Sequence, residues 1–397
     1  MVPLFYLNEL PEGGKINEIE IGGTTFKEFV IASDIAYDKT IDKKSYFQID
    51  EDNLIINGQG HIIDLGEYPL FLKVKSENVI IKDLHVKNAN NYLSVIQNWK
   101  SLKIINCSFK NCKAHDGAAI HNEGELIVEN TRFENNYASN SGGAIYNNGK
   151  MTVKNSQFIK NTSRLYGGAI SNEMKLSIIN CLFDENSGAE IIRSYHDCEI
   201  ENCTFENTVK AIQSLGYLNV ANSIFKKCDF AIYMDDGSIE NCTFKNGGKI
   251  LESSKRKNTI YIKDSNFIHN HCKEKGLQYL FETFYYFVMH DKTTCHIVNC
   301  NFKNNTYSKY MFNWNSQETL YLKNCIFEHN QASIFKINRG LLKLENVEFR
   351  RTRKNVISCE GDLEITNCKF QKHHMINEEK VYDIYKSERK FLKEIKS

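Results

Sequence analysis

Five side chains in the sequence occupy the same position of a short local pattern and could therefore contact one ligand together. Each follows an isoleucine that we expect to point into a hydrophobic core, so each is predicted to point outward from one sheet: His121, Tyr146, Ser171, Gln213 and Tyr233. Aromatic and polar groups repeated at the strand spacing of about 4.8 Å could stack on and hydrogen-bond an extended glycan. The alternative is that they are ordinary solvent-facing residues.

Residues suited to catalysis are less evident. Hydrolysis of a glycosidic bond needs two carboxyl groups roughly 5–9.5 Å apart, and the best adjacent pair is Asp235 and Asp236. Aligned on the preceding isoleucine, this pair falls where other coils have a turn, so we expect it to be solvated. Three His–Asp pairs also occur, at unrelated positions that begin at His115, His196 and His290. Because adjacent residues of a strand point to opposite faces, we predict no catalytic residue and expect that the chain is not an enzyme.

A second candidate surface comes from one irregularity in the spacing of the phenylalanines, the 35 residues between Phe267 and Phe302. Residues 279–281 match residues 310–312 of the next coil and are predicted to be strand. The residues after them form a predicted loop that is too apolar to be left in water: Phe284, Tyr285, Tyr286 and Phe287. This loop either folds over the protein's own surface or covers a partner.

Composition excludes several other classes of function. The 50 Lys and Arg residues balance 49 Asp and Glu residues, and no basic run stands out, so nucleic acid is not an expected partner. No cluster of His, Cys and Asp has the spacing of a metal site, and we expect neither a metal nor a cofactor. The first residues lack a signal-peptide pattern, and no apolar stretch reaches the ~20 residues of a membrane span. The cellular location stays open.

These side chains must be positioned by a repeat that runs through most of the chain. Its phrase is apolar-x-apolar-x-Asn-(Cys/Ser)-x-Phe, and a period near 24 residues is typical of a solenoid of stacked coils. The anchoring aromatic residues are Phe109, Phe133, Phe158, Phe183, Phe205, Phe225, Phe244, Phe267, Phe302, Phe327, Phe349 and Phe370.

Alternating apolar residues within each coil predict three short strands. Three strands per coil indicate an all-β, right-handed parallel β-helix with about 14 coils, the architecture of pectin lyase-like proteins. We predict an N-terminal cap at 1–52, the β-helix at 53–376 and a charged C-terminal helical cap at 377–397. The Asn of the phrase should adopt a left-handed bend and form an Asn ladder between coils. The neighbouring column of cysteines should be free, buried thiols.

Two submotifs carry a family resemblance. Gly-Gly-Ala-Ile at 142–145 and 167–170 alternates with Phe-x-x-Asn, as at Phe133 to Asn136 and Phe158 to Asn161. This pair resembles the repeats of chlamydial polymorphic outer-membrane proteins, and the opening at 52–64, followed by Asn-rich coils, resembles methanogen adhesin-like proteins. The resemblance covers roughly residues 33–376 and implies a right-handed β-helix with a surface or adhesion role.

Three functions are compatible with these features. The first is a non-enzymatic, adhesin-like protein that presents an extended surface to a glycan or protein at a cell surface. The second is a β-helical enzyme that acts on polysaccharides, either a lyase or a hydrolase. The third is an intracellular scaffold that binds other proteins. The sequence favours the first, and the oligomeric state stays undetermined.

Overall fold

The computed structural model describes residues 4–5, 15–36, 46–66, 72–90, 92–253, 257–271, 287–289, 292–306, 310–331, 333–352 and 356–371. The predicted helical cap at 377–397 and the loop residues Phe284, Tyr285 and Tyr286 lie outside this set. The chain divides into two compact units, Met1–Ile224 and Phe225–Ser397. Each unit is built from short parallel strands that belong to three sheets, here called A, B and C in their order along a coil.

In the first unit, sheet A contains Tyr46–Ile49, Leu72–Val74, Ile96–Asn98, Ile120–Asn122, Ile145–Asn147, Ile170–Asn172 and Ile192–Ser194. Sheet B contains Thr24–Val30, Leu54–Asn57, Val79–Lys82, Ser101–Ile105, Glu125–Glu129, Met151–Lys154, Leu176–Ile179 and Cys198–Glu201. Sheet C contains Ile35–Ala36, Ile62–Asp64, His85–Lys87, Ser108–Lys110, Arg132–Glu134, Gln157–Ile159 and Leu182–Asp184. The continuous strand Thr204–Ala221 extends all three sheets.

Five short strands complete the first unit. Leu4–Phe5 pairs in parallel with Tyr46–Ile49, and Lys15–Ile21 pairs antiparallel with Thr24–Val30. Lys113–Ala114, Tyr137–Ala138 and Thr162–Ser163 form a separate three-stranded sheet. Strands as early as Thr24–Val30 already pair in parallel with the next coil, and the domain boundary at residue 52 stays a prediction.

In the second unit, Ile224–Glu240 pairs with strands of all three sheets. Sheet A then contains Lys249–Ser253, Phe287–Met289, Tyr310–Trp314, Ser333–Ile337 and Ile357–Cys359. Sheet B contains Asn258–Lys263, Thr293–Val298, Thr319–Lys323, Leu341–Glu345 and Asp362–Thr366. Sheet C contains Thr243–Lys245, Asn266–Ile268, Asn301–Lys303, Ile326–Glu328, Glu348–Arg350 and Lys369–Gln371. The predicted parallel β-helix is confirmed.

The core consists of side chains that repeat from coil to coil. In the first unit, Phe133, Phe158 and Phe183 are fully buried, and their ring centroids follow one another at 4.8 Å. Stacking at this distance both buries apolar area and satisfies the preference of aromatic rings for close neighbours. The phenylalanine column therefore fixes the register of the coils.

Asparagine turns the chain at the predicted bends. All thirteen predicted Asn or Asp bend residues have positive φ, between 49° and 55°, a conformation that Asn and Asp tolerate better than most residues. Their amides connect adjacent coils, as Asn180 Nδ2 does by donating to Asn155 Oδ1 at 3.1 Å. The predicted ladder is confirmed, although these bend residues are exposed rather than buried.

Two further asparagine ladders are buried, and the sequence reasoning did not predict them. Asn136, Asn161 and Asn186 come from the Phe-x-x-Asn motif. The amides of the first two donate to the Asn of the next coil, and that of Asn186 donates to Phe158 O of the preceding coil. The second set, Asn98, Asn122, Asn147 and Asn172, closes the turn that follows sheet A with Nδ2–Oδ1 distances of 2.5–2.6 Å. These ladders satisfy the backbone groups of the turns without water.

The described cysteines are free, and most of them are buried. In the predicted column, Cys181 and Cys203 each donate the thiol to a backbone carbonyl at 3.2 Å. Burial raises the pKa of the Cys107 and Cys112 thiols to about 12. The hydrogen bond with Cys203 lowers the pKa of the Cys181 thiol. Because the thiols are buried and bonded to backbone carbonyls, the column is a packing feature.

Candidate functional site

The outer face of sheet A in the first unit carries a continuous row of polar and aromatic side chains. Register pairs place these residues on successive strands in the order Lys73, Gln97, His121, Tyr146, Ser171, Arg193 and Gln213. Four of the five predicted binding residues thus lie in one row at about 4.8 Å per step. The fifth, Tyr233, lies on sheet A of the second unit, where it pairs with Glu252.

Arg193 belongs to this row, and the sequence reasoning missed it. Its coil has Ile191 and Ile192 where other coils have Ala and Ile. It therefore lacks the Ala-Ile step that marks the other outward positions. The position after the second isoleucine is nevertheless the same outward position, and that signal could have found Arg193. Ser171, in contrast, is only 2% exposed between Tyr146 and Arg193. It is therefore a poor ligand contact.

His121 is held by a carboxylate at the end of its own strand. Its Nε2 atom lies 2.8 Å from Oε1 of Glu123, and Asn148 Nδ2 donates to the other carboxylate oxygen, also at 2.8 Å. No described residue bonds His121 Nδ1. The contact with Glu123 therefore engages Nε2 and leaves Nδ1 on the other side of the ring without a described partner.

Tyr146 stands next to His121 in the row. Burial raises the pKa of the Tyr146 hydroxyl to about 12, and the negative charges of Glu173, Asp116 and Glu123 act in the same direction. Its hydroxyl makes no hydrogen bond to any described residue. The phenol is therefore protonated at neutral pH, and its O–H is available as a donor.

The pKa values of two carboxyl groups near Arg193 are also shifted. Burial raises the pKa of Glu190, against the opposing effect of Arg193, and burial likewise raises the pKa of Glu173. Glu190 is 1% exposed and its Oε1 lies 3.8 Å from Arg193 Nη1. A cluster of titratable groups with shifted pKa values on a concave or flanked surface is typical of functional sites.

Exposed apolar residues flank the row on both sides. Before the strands of sheet A come Tyr92, Leu93, Leu165 and Tyr166, and after them come Trp99, Met174 and Tyr217; all are 38–66% exposed. Large exposed apolar side chains concentrated along one face mark a binding surface rather than a packing feature. The row and these flanking side chains together form one exposed surface of the first unit, here called the groove.

The other candidates from the sequence do not join this groove. Phe287 lies in the strand Phe287–Met289, is fully buried and stacks on Phe312 at 4.5 Å. Phe312 pairs with Phe287, so the predicted match of residues 279–281 with residues 310–312 is wrong. Residues 279–281 themselves lie outside the described residues. The prediction for Asp235 is also wrong: it lies within a strand and is 8% exposed. The role of the loop at 284–286 stays a prediction.

Within the described residues, no group of three or more His, Cys, Asp or Glu side chains is arranged to hold a metal ion. Across the same part of the chain, no helix is long and apolar enough to cross a membrane.

Comparison with known families identifies the fold. The family described as "right handed beta helix region" matches residues 70–217 and 117–288, which together span more than half of the chain. The chain belongs to this family. None of the curated proteins compared with it matches.

Solved structures with similar folds come from several functional classes. An alginate lyase, AlyF-OU02, is 10% identical, with 84% of this chain and 80% of that chain covered and a TM-score of 0.31. The catalytic domain of a GH87 α-1,3-glucanase is 11% identical, with coverages of 87% and 62% and a TM-score of 0.35. PfbA, a surface adhesin of Streptococcus pneumoniae, is 12% identical, with 84% of each chain covered and a TM-score of 0.28.

The prediction that the chain is not an enzyme is contradicted by this comparison. The similar structures are mostly polysaccharide lyases and glycoside hydrolases. The prediction was drawn from the lack of a local catalytic motif, but groups on successive coils lie some 24 residues apart and leave no such motif. At 8–12% identity the likeness shows the fold alone, so a function has to be argued from the residues of this chain.

Proposed function

We propose that this protein is a polysaccharide-cleaving enzyme that binds an extended glycan along the groove on sheet A of the first unit. The observation that carries the proposal is the His121–Glu123 pair beside Tyr146. It supplies a proton acceptor and a proton donor on adjacent strands, with ring centroids 5.0 Å apart. Cleavage of a glycan backbone needs both, one to start bond breaking and one to protonate the leaving oxygen.

The contacts of these groups support the proposed roles. Glu123 accepts the Nε2–H bond of His121 and so directs the lone pair to Nδ1, which becomes the general base. The pKa of Tyr146, raised to about 12, keeps its proton in place until a developing oxyanion approaches. Asn148 orients Glu123 through its own hydrogen bond and acts as a positioning residue.

The groove supplies aromatic rings and amides that can bind the glycan. Sugar rings present C–H faces that stack on aromatic side chains, and Trp99, Tyr166 and Tyr217 supply such rings at the edges. Gln97 and Gln213 lie in the same row as the reactive pair and offer hydrogen-bonding amides. A glycan lying along the stacking direction of the coils would contact these groups in turn.

The test is a cleavage assay on the full chain with a panel of neutral and acidic polysaccharides. Fragment release is expected from at least one polymer, and His121→Asn should slow it by about 10²- to 10⁴-fold, the usual contribution of a general base. His296→Asn is the matched control, because His296 also stacks on a tyrosine, Tyr261, but on sheet B of the second unit. Equal rates for both variants, or no fragments from any polymer, would refute the proposal.

Attachment to a glycan at a cell surface, the role implied by the sequence resemblance, would use the same groove. The assay separates the two roles, because attachment retains the polymer at full length. Binding without any fragment release would refute the proposed cleavage and support glycan binding alone.

A further inference from the structure

A cavity of about 400 Å³ lies beside sheet C of the second unit, at the bends where the chain leaves that sheet. This volume is in the range of small-molecule sites. The described residues that line the cavity come from three successive coils and are Lys303, Asn304, Thr306, His329, Gln331 and Arg351. Lys303 and Arg351 are cations, His329 becomes one on protonation, and none of the six is acidic. The lining therefore favours an anionic ligand.

Arg351 occupies a backbone position that asparagine often fills. The residue that follows a sheet C strand usually has positive φ and is often an asparagine, such as Asn111, Asn135 and Asn246. Arg351 has a φ of 50° at this position, and His329 has one of 54°. Asparagine and histidine tolerate this left-handed conformation better than arginine does. Unfavourable backbone conformations are concentrated at binding sites, so Arg351 is a candidate ligand contact.

The charge of Arg351 is not neutralised by a described carboxylate. Lys160 has the same backbone position in the first unit, and Oε2 of Glu185 lies 3.4 Å from its ammonium group. Among the described residues no carboxylate pairs with Arg351 in this way, and its Nη1 instead donates to Nε2 of His329 at 3.2 Å. A guanidinium has five N–H donors, so this one hydrogen bond leaves the others for a ligand.

Lys303 adds a second charge, which it shares with Glu328. Its Nζ lies 3.0 Å from Oε2 of Glu328, and this contact lowers the pKa of the Glu328 carboxyl group. The other carboxylate oxygen lies 3.7 Å from Nδ1 of His329. Glu328 is not among the residues that line the cavity. Lys303 and His329 thus contact both this carboxylate and the cavity, and Glu328 competes with any anion that enters.

We propose that this cavity binds the phosphate monoester of a small polyhydroxy compound, with Arg351 as the main phosphate contact and Lys303 and His329 as further donors. A guanidinium can bond two phosphate oxygens at once. A phosphate monoester carries a charge close to −2 at neutral pH, so it gains more from several cations than a singly charged ester does. Donors from three coils also suit a group with three free oxygens better than a planar carboxylate with two.

The rest of the lining suits the polyhydroxy part of the ligand. Asn304 and Gln331 supply amides and Thr306 supplies a hydroxyl, and all three can bond hydroxyl groups. The site goes beyond the proposed glycan cleavage, because it lies in the second unit and shares no residue with the groove. Binding of a phosphate ester and cleavage of a polymer are measured separately, so either proposal can fail alone.

The first experiment titrates the full chain with a hexose 6-phosphate, the hexose 6-sulfate and the free hexose by calorimetry, in a phosphate-free buffer of fixed ionic strength. The phosphate ester should bind more tightly than the sulfate ester, because it carries about one more negative charge at the same geometry. The free hexose should not bind measurably. Equal affinities for the two esters, or no binding of the phosphate ester, would refute the proposal.

A pair of adjacent arginines supplies a variant and its matched control. Arg351→Gln should weaken binding of the hexose 6-phosphate at least about tenfold, as expected for the loss of a charged hydrogen bond. Arg350 pairs with Glu348 and does not line the cavity, so Arg350→Gln should bind nearly as tightly as the unmodified protein. Thermal melts check that both variants are folded. An equal loss in both would show a general attraction of charge and would overturn the assigned site.

A gain of affinity gives a test that misfolding cannot imitate. Glu328→Gln should strengthen binding of the hexose 6-phosphate, because it frees Nζ of Lys303 and removes the competing negative charge. Glu345→Gln is the matched control, since Glu345 pairs with Lys323 on sheet B of the same unit. It should leave the affinity nearly unchanged. An equal gain in both variants, or none with Glu328→Gln, would rule out the contact at Lys303.

Discussion

The rings of His121 and Tyr146 lie 5.0 Å apart and 37° from parallel. The two residues are direct register partners on adjacent strands, so their separation is set by strand pairing rather than by a loop. A parallel β-helix can therefore hold an acid and a base at fixed distance with no element dedicated to the task.

Removing the Tyr146 hydroxyl should separate binding from chemistry. We expect Tyr146→Phe to lower kcat for glycan cleavage by about 10²- to 10⁴-fold, as for the loss of a general acid, with little change in KM because the ring remains. Tyr261→Phe, on the His296–Tyr261 pair of the second unit, is the control and should retain full activity. Steady-state kinetics on the cleaved polymer measure both. A Tyr146→Phe enzyme with normal kcat would assign the donor role elsewhere.

The buried ladder beneath the groove should be required for stability. Asn147 is fully buried, donates to Gly149 O and Asn172 Oδ1, and accepts from Asn122. Asn147→Leu keeps the volume but leaves these partners unpaired, at roughly 1–3 kcal/mol for each buried group. Chemical denaturation should show this loss. The exposed neighbour Asn148→Ala should change the free energy of unfolding by less than about 0.5 kcal/mol, and equal effects would disprove the role of the ladder.

The fold could be predicted from the sequence because one register repeats. Most coils place Phe in the core and Asn at the bend, so a single phrase that recurs many times predicts both the strands and the positive φ values. The insertion before Phe287 interrupts the repeat, so the repeat alone does not fix the strand register there. Its apolar residues fit the strand pattern at two registers, and only the pairing of Phe287 with Phe312 decides between them.

Only some residues of the candidate site could be predicted from the sequence, for a physical reason. His121 and Tyr146 follow a recognisable Ala-Ile step, and the sequence therefore reveals that they share a face. Arg193 follows a less regular step, and nothing local shows that Tyr166, in the preceding coil, contacts it. The burial of its Nε atom without a partner depends on side-chain packing between coils, which no spacing rule encodes.

Burial should make three cysteines unreactive in the native protein. It raises the pKa of the Cys107, Cys112 and Cys198 thiols from 9.0 to about 12, so the thiolate is scarce at pH 8. Alkylation followed by mass spectrometry should leave them unmodified unless the protein is unfolded first, whereas the half-exposed Cys359 should react. Rapid native labelling of Cys112 would contradict the packing described here.

The raised pKa values of these thiols make the free energy of unfolding depend on pH. Because the folded state holds these protons more tightly than the unfolded state, the contribution is fully present below pH 9. It is lost as the pH rises from about 9 to about 12. Denaturation midpoints should therefore fall across this window. In Cys112→Ala the fall should be smaller, because one of the three groups no longer titrates; an unchanged slope would show that the thiols do not contribute.

Breaking the phenylalanine column should cost more than any surface change. Phe183 is fully buried between Phe158 and Phe205, with ring centroids 4.8 Å away on both sides. Phe183→Ala leaves a cavity that its rigid, hydrogen-bonded neighbours cannot fill, so we expect a loss of about 3–5 kcal/mol in the free energy of unfolding. Val209→Ala, at a side chain that is 60% exposed, should cost less than about 0.5 kcal/mol. Guanidinium denaturation measures both, and a Phe183→Ala loss below about 1 kcal/mol would mean that stacked rings do not hold the coils in register.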